Sequence, residues 1–243
     1  MKIKHIYSPN FYVKKRLKRS IKIIVIHYTG MQSERESIKR LCNPRYKVSS
    51  HFLINQNGNV YKLVNDNRIA WHAGKSCWGK LKNLNKNSIG IELVNKGHLL
   101  GYTSFKKKQL TSLIKICRQL IKKYKIRKEN IIGHSDIAPL RKIDPGEKFP
   151  WDILAKNKIG VWHKYKGSFL KKFRNVQISK KSKLNFMKKI NILGYCLRYK
   201  RYNEKYLIRK IVEAFQRHFR RELINGIIDK ECLLIAENIA KKT

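Results

Sequence analysis

The 243-residue chain predicts an α/β fold: a mixed central β-sheet flanked by helices, followed by a small C-terminal three-helix domain. Three observations predict it. Short β-branched runs alternate with amphipathic stretches from residue 21 to 160, as strands packed under helices do. Asn57-Gly58 lies between two apolar runs and marks a tight hairpin. Beyond residue 183 three helical stretches follow one another.

The elements follow in order. Residues 21–28 are short, apolar and β-branched, so they predict a buried strand ending near His27. Ser33 is placed to cap a helix over Glu34 to Cys42, which Asn43-Pro44 ends. Val48 to Asn55 and Val60 to Val64 predict the hairpin strands. Ser88 to Asn95 is a second buried strand. Leu110, Leu113, Ile114, Cys117, Leu120, Ile121 and Tyr124 recur at helical spacing, so Phe105 to Lys125 is a helix with one apolar face. Asn130 to Gly133 is a short strand. Pro139, Pro145 and Pro150 make the next segment irregular and stiff. The tail predicts helices over about 184–193, 204–221 and 229–241.

These elements divide the chain into a basic N-terminal extension (1–20), a metal-site domain (21–160), a basic connector (161–182) and the helical domain (183–243). The N-terminus lacks the apolar core of a secretory signal, and no stretch approaches a membrane span. Five widely spaced cysteines without a C-x-x-C pair suggest reduced thiols rather than a disulfide framework. Together these predict a cytoplasmic protein, with the periplasm as the alternative. The net charge of +42 is spread over short, scattered lysine runs. It fits a general compositional bias better than a specific nucleic-acid partner, and attraction to a polyanionic substrate is a third reading.

Four polar residues interrupt this apolar pattern. His27 ends the run Ile23-Ile24-Val25-Ile26. Glu92 interrupts Ile89-Gly90-Ile91-Glu92-Leu93-Val94. His134 and Asp144 bracket the proline-stiffened loop. Two imidazoles and a carboxylate are what a catalytic zinc needs if one position stays open for water. A second, buried carboxylate could accept a proton from that water. Taken singly, each has an ordinary explanation: a packed or solvated histidine, an aspartate forming a turn before proline, a glutamate on a solvent-facing strand. Lys142 alone reads as one more surface lysine. Together they point to hydrolysis.

The segments carrying these residues occur in a telling order. Ile26-His27-Tyr28-Thr29 comes first, then Val48 to Ile54 with Ser50-His51, and then Trp71-His72-Ala73-Gly74. Ser88-Ile89-Gly90-Ile91-Glu92-Leu93 follows, and the last is Gly133-His134-Ser135-Asp136 through Lys142-Ile143-Asp144-Pro145-Gly146. The set resembles the zinc-dependent N-acetylmuramoyl-L-alanine amidases of type 2, especially AmpD-like members. The match covers about residues 20–155. The tail, with Leu193-Gly194-Tyr195 and Ala214 to Arg220, is similar to a three-helix peptidoglycan-binding domain. The resemblance implies one zinc ion held by His27, His134 and Asp144. It implies Glu92 as general base and Lys142 beside the tetrahedral intermediate. Trp71, His72 and Asn85 match segments near the substrate groove, and His51 a core or supporting position. Viral relatives carry a catalytic Tyr where this chain has Ser50, so Glu92 is expected to carry the acid–base work alone. The implied substrate is the amide joining N-acetylmuramic acid, or its 1,6-anhydro form, to L-alanine of the peptidoglycan stem. A non-catalytic recognition module and a nucleic-acid binder are the competing readings; the complete ligand set argues against the first.

Overall fold

A computed structural model of the chain describes residues 2–197 and 202–241. In chain order its strands are β1 (Ile3–His5), β2 (Phe11–Tyr12), β3 (Ile23–Tyr28), β4 (Phe52–Ile54), β5 (Val60–Lys62), β6 (Ile69–Ala70), β7 (Cys77–Trp78), β8 (Leu81–Lys82), β9 (Ser88–Leu93) and β10 (Ile131–Gly133). Its helices are α1 (Glu34–Cys42), α2 (Gly97–Leu100), α3 (Lys107–Tyr124), α4 (His134–Ile137), α5 (Trp151–Lys156), α6 (Gly167–Lys171), α7 (Lys180–Leu193), α8 (Glu204–Phe219) and α9 (Lys230–Ala240). The main sheet runs β1-β5-β4-β9-β3-β10. Only β4–β5 pairs antiparallel within it, as the Asn-Gly hairpin requires. The expected mixed sheet with flanking and C-terminal helices is therefore present.

Period-two alternation sorts the central strands onto two faces. On β3, Ile24 and Ile26 join Ile89, Ile91 and Leu93 of β9 in one core. That core packs under Leu113, Ile116, Cys117 and Leu120 of α3. The opposite face of β3 carries Ile23 and Val25, which pack with Phe186, Phe215, Phe219 and Cys232 of the tail helices. His27 continues this second face by strand alternation, at the open end of β3. The tail helices thus share a core with the sheet.

Ser33 caps α1 as expected, its Oγ accepting from the Glu36 backbone N–H at 3.2 Å. Three expectations are corrected. Residues 1–20 do not form a mere basic extension, because β1 pairs in parallel with β5 at the sheet edge. Arg16 from this segment is buried, donating to the carbonyls of Asp66, Asn85 and Ser88. The connector 161–182 contains the short helix α6. The cysteines are not all thiols: Cys77 and Cys196, 119 residues apart, form a disulfide with a Cα–Cα separation of 6.0 Å, while Cys42, Cys117 and Cys232 are free. Such a distant pairing is set by the three-dimensional approach of two segments, which spacing along the chain does not reveal.

Candidate active site

The ends of β3 and β10 deliver two imidazoles to one point, since the strands are parallel neighbours. His27 is the fifth residue of β3, and His134 directly follows β10. Asp144 returns from the loop beyond α4, its carbonyl accepting from the Ser135 N–H at 2.8 Å. His27 Nδ1 lies 3.0 Å from His134 Nδ1 and 3.0 Å from Asp144 Oδ2, and His134 Nδ1 is 3.1 Å from the same oxygen. All three side chains are buried. A tetrahedral ion with bonds of about 2.0 Å needs donor atoms about 3.3 Å apart. The triangle fits that edge closely, and its nitrogen–oxygen donor set suits a divalent metal.

Ionisation states fit as well. Burial, reinforced by His134, pushes His27 down to about 4, which keeps the imidazole neutral at pH 7. Burial alone would raise Asp144, but an imidazole of the triangle that carries a proton on Nδ1 outweighs it and holds the carboxyl well below the usual range. Both are therefore in the form that binds a cation.

Tautomers follow from hydrogen-bond direction. The Leu84 carbonyl can only accept, so Ser88 Oγ donates to it at 2.6 Å. Ser88 Oγ then accepts from His72 Nε2–H at 3.1 Å. Burial and nearby His27 hold His72 well below its ordinary value, so it is neutral and its Nδ1 must accept. The donor to that nitrogen is His27 Nε2–H, 3.1 Å away. This leaves the His27 Nδ1 lone pair facing the triangle. His134 Nε2 lies 3.2 Å from the Ala73 carbonyl, which requires Nε2–H; in the neutral ring this leaves the Nδ1 lone pair toward the triangle. Supporting partners of this kind fix metal-binding imidazoles.

One strand face makes this possible. Ser88, Gly90 and Glu92 alternate on β9 opposite Ile23, Val25 and His27 of β3. A Cβ on Gly90 would come within 2.5 Å of the His72 ring, so only glycine admits it. Glu92, the register partner of His27, is 8% exposed, and its Oε2 has no hydrogen-bond partner. Burial, and then the charge of Asp144, pushes Glu92 up to about 8.

The cleft around the triangle has a volume of about 460 Å³. His72, Glu92 and Lys142 line it with His27, His134 and Asp144, as do Tyr28, Arg40 and Arg141. The sequence reading placed His72 near the substrate groove; it lines the cleft, and its ring nitrogens bond His27 and Ser88. Trp71 does not line the cleft: its ring packs edge-on against Tyr12 at 5.6 Å. Asn85 does not line it either, and its Oδ1 accepts from the backbone N–H groups of His72 and Ala73 at 3.1 and 2.6 Å. His51 is buried, its Nδ1 accepting from the Gly90 N–H at 3.0 Å. Sequence reasoning missed Arg141, which lines the cleft and donates to the Ala73 and Lys75 carbonyls. It also missed the chain Tyr28–His98–Glu147, with links of 2.9 Å. No periodicity or spacing marks either.

The arrangement is that of a candidate hydrolytic metal site at the carboxyl ends of parallel strands. The family model for N-acetylmuramoyl-L-alanine amidase matches residues 17–147. The chain is 35% identical over 239 residues to the N-acetylmuramoyl-L-alanine amidase AmiD of Escherichia coli K12, covering 91% of this chain and 83% of that one. It is 34% identical over 167 residues to the 1,6-anhydro-N-acetylmuramyl-L-alanine amidase AmpD of Haemophilus influenzae, covering 61% and 88% respectively. A solved structure of E. coli AmiD, in complex with the substrate anhydro-N-acetylmuramic acid-L-Ala-D-γ-Glu-L-Lys, superposes with a TM-score of 0.79 at 32% identity, covering 95% of this chain and 92% of that one. The AmpDH3 structure from Pseudomonas aeruginosa gives 0.80 at 27% identity, covering 96% of each chain. The chain belongs to the N-acetylmuramoyl-L-alanine amidase family, as its sequence motifs suggested.

Proposed function

We propose that the protein is a zinc enzyme that hydrolyses the amide between the lactyl group of N-acetylmuramic acid, or its 1,6-anhydro form, and L-alanine of the stem peptide. The observation that carries this is the buried His27–His134–Asp144 triangle with Glu92 in register beside His27. Zinc bound there would lower the pKa of a coordinated water toward neutrality and polarise the scissile carbonyl. Glu92 takes the water's proton on its unpartnered Oε2 and passes it to the leaving amine of L-alanine. A dication bound in the triangle would oppose the rise that burial causes in Glu92 and so favour the carboxylate form that a base needs. The Lys142 ammonium faces the same cleft and offsets the negative charge developing on the carbonyl oxygen.

The substrate assignment rests on the relatives. AmiD and AmpD carry this activity in their names, and the AmiD structure holds an anhydromuramyl tripeptide. The Cys77–Cys196 bond favours an oxidising compartment, hence the periplasm rather than the cytoplasm. The test is mass spectrometry of products from soluble anhydromuropeptides and from intact sacculi. Release of free stem peptide beginning with L-alanine supports the proposal, and the preferred substrate separates recycling from wall turnover. No cleavage of either overturns it.

A further inference from the structure

The tail helices reach the metal site through one buried carboxylate. Asp136 lies in α4, two residues after His134, and is 1% exposed. Burying a carboxylate is costly unless donors surround it. Asp136 has three: the Gly133 backbone N–H at 2.7 Å, the Tyr195 hydroxyl at 2.6 Å and His218 Nδ1–H at 2.8 Å. The first closes the turn that presents His134. The other two come from the tail, one just after α7 and one from α8, and both are fully enclosed.

Each tail donor is itself held. The His218 ring stacks on Trp151 at 3.9 Å and on Phe219 at 4.0 Å. Tyr195 packs edge-on against Trp78 at 5.0 Å. Its neighbour Gly194 accepts from the Gly79 N–H at 2.7 Å, and Cys196 is bonded to Cys77. The same turn governs a second ligand, because the Ser135 N–H binds the Asp144 carbonyl.

We propose that Tyr195 and His218 are positioning residues of the metal centre: by holding Asp136 they lock the Gly133–Ser135 turn that orients both His134 and Asp144. The C-terminal helices thereby complete the metal site, whatever else they bind. This rests on the zinc reading above. Outer partners of metal ligands typically contribute 10–100-fold in affinity.

The test is the zinc dissociation constant of the full chain, measured by competition with a chromophoric chelator, alongside the melting temperature. Tyr195→Phe removes only the hydroxyl. His218→Phe keeps an aromatic ring in the stack and removes the donor, whereas His218→Asn keeps a donor near the Nδ1 position and loses the stack. We expect Tyr195→Phe and His218→Phe each to weaken zinc binding about 10-fold or more. His218→Asn should stay within about threefold of the parent although it melts lower. The inference is overturned if both donor-removing variants bind zinc as the parent does, or if zinc affinity follows melting temperature across all three. Absence of zinc binding by the parent protein would overturn the zinc reading itself, and the inference with it.

Discussion

His27 and Glu92 stand side by side on adjacent parallel strands, the imidazole supplying one corner of the donor triangle and the carboxylate Oε2 buried without a hydrogen-bond partner. A register fixed by the sheet therefore sets the distance between the proposed metal ligand and the proposed base. Their roles should separate under mutation. Glu92→Gln keeps the triangle and should retain metal while turnover falls by about 10²–10⁴. His134→Ala should lose both. Metal content and product release are the readouts, and equal metal loss in the two variants would contradict the division.

Glu92 also predicts a pH dependence of the metal-free chain. Its folded pKa, about 8, lies above its ordinary value. The stability it contributes is thus complete at low pH and is lost as pH rises through about 8. His27 has the opposite sign: its folded value is lowered, so its contribution is lost as pH falls below its ordinary value toward about 4. The clean window is therefore between about pH 6.5 and 8. There, stability of the metal-stripped protein relative to Glu92→Gln should fall as pH rises, by at most about 1.4 kcal/mol per pH unit. A difference that stays flat in thermal or urea denaturation would show that the carboxyl is not buried as described.

The chain His27–His72–Ser88–Leu84 makes a separate prediction. Ser88→Ala or His72→Ala frees the His27 tautomer and should weaken metal binding about 10–100-fold. Gly90→Ala should act alike, since its methyl would displace the His72 ring. Isothermal titration with zinc checks all three, and parental affinity in each would remove the relay from the account.

Lys142→Met should leave metal content unchanged and lower kcat more than it raises KM, because the charge it offsets develops only during reaction. Steady-state kinetics on a muramyl peptide decide this. A change confined to KM would make Lys142 a ground-state binder.

Much of the site was legible in the sequence. His27 and Glu92 stood out because each breaks an apolar strand, and alternation then says which face each takes. His134 and Asp144 stood out through a strand end and a proline-stiffened loop. What period and spacing could not show was contact between distant segments. The Cys77–Cys196 bond, Tyr195 and His218 on Asp136, and Arg16 beneath the sheet all depend on how the N-terminus and tail close over the core. The bond of His72 to His27 was equally hidden: on β9, Ser88 and Gly90 fall on the same face as Glu92, leaving room for a ring between the Ser88 hydroxyl and His27.

The most direct test of the central claim is elemental analysis of the purified protein joined to chelation and re-addition of metal. The account predicts one zinc per chain, loss of muramyl-peptide cleavage on exhaustive chelation, and recovery with zinc in the parent but not in Asp144→Ala. Undiminished cleavage by protein stripped of all metal would contradict it.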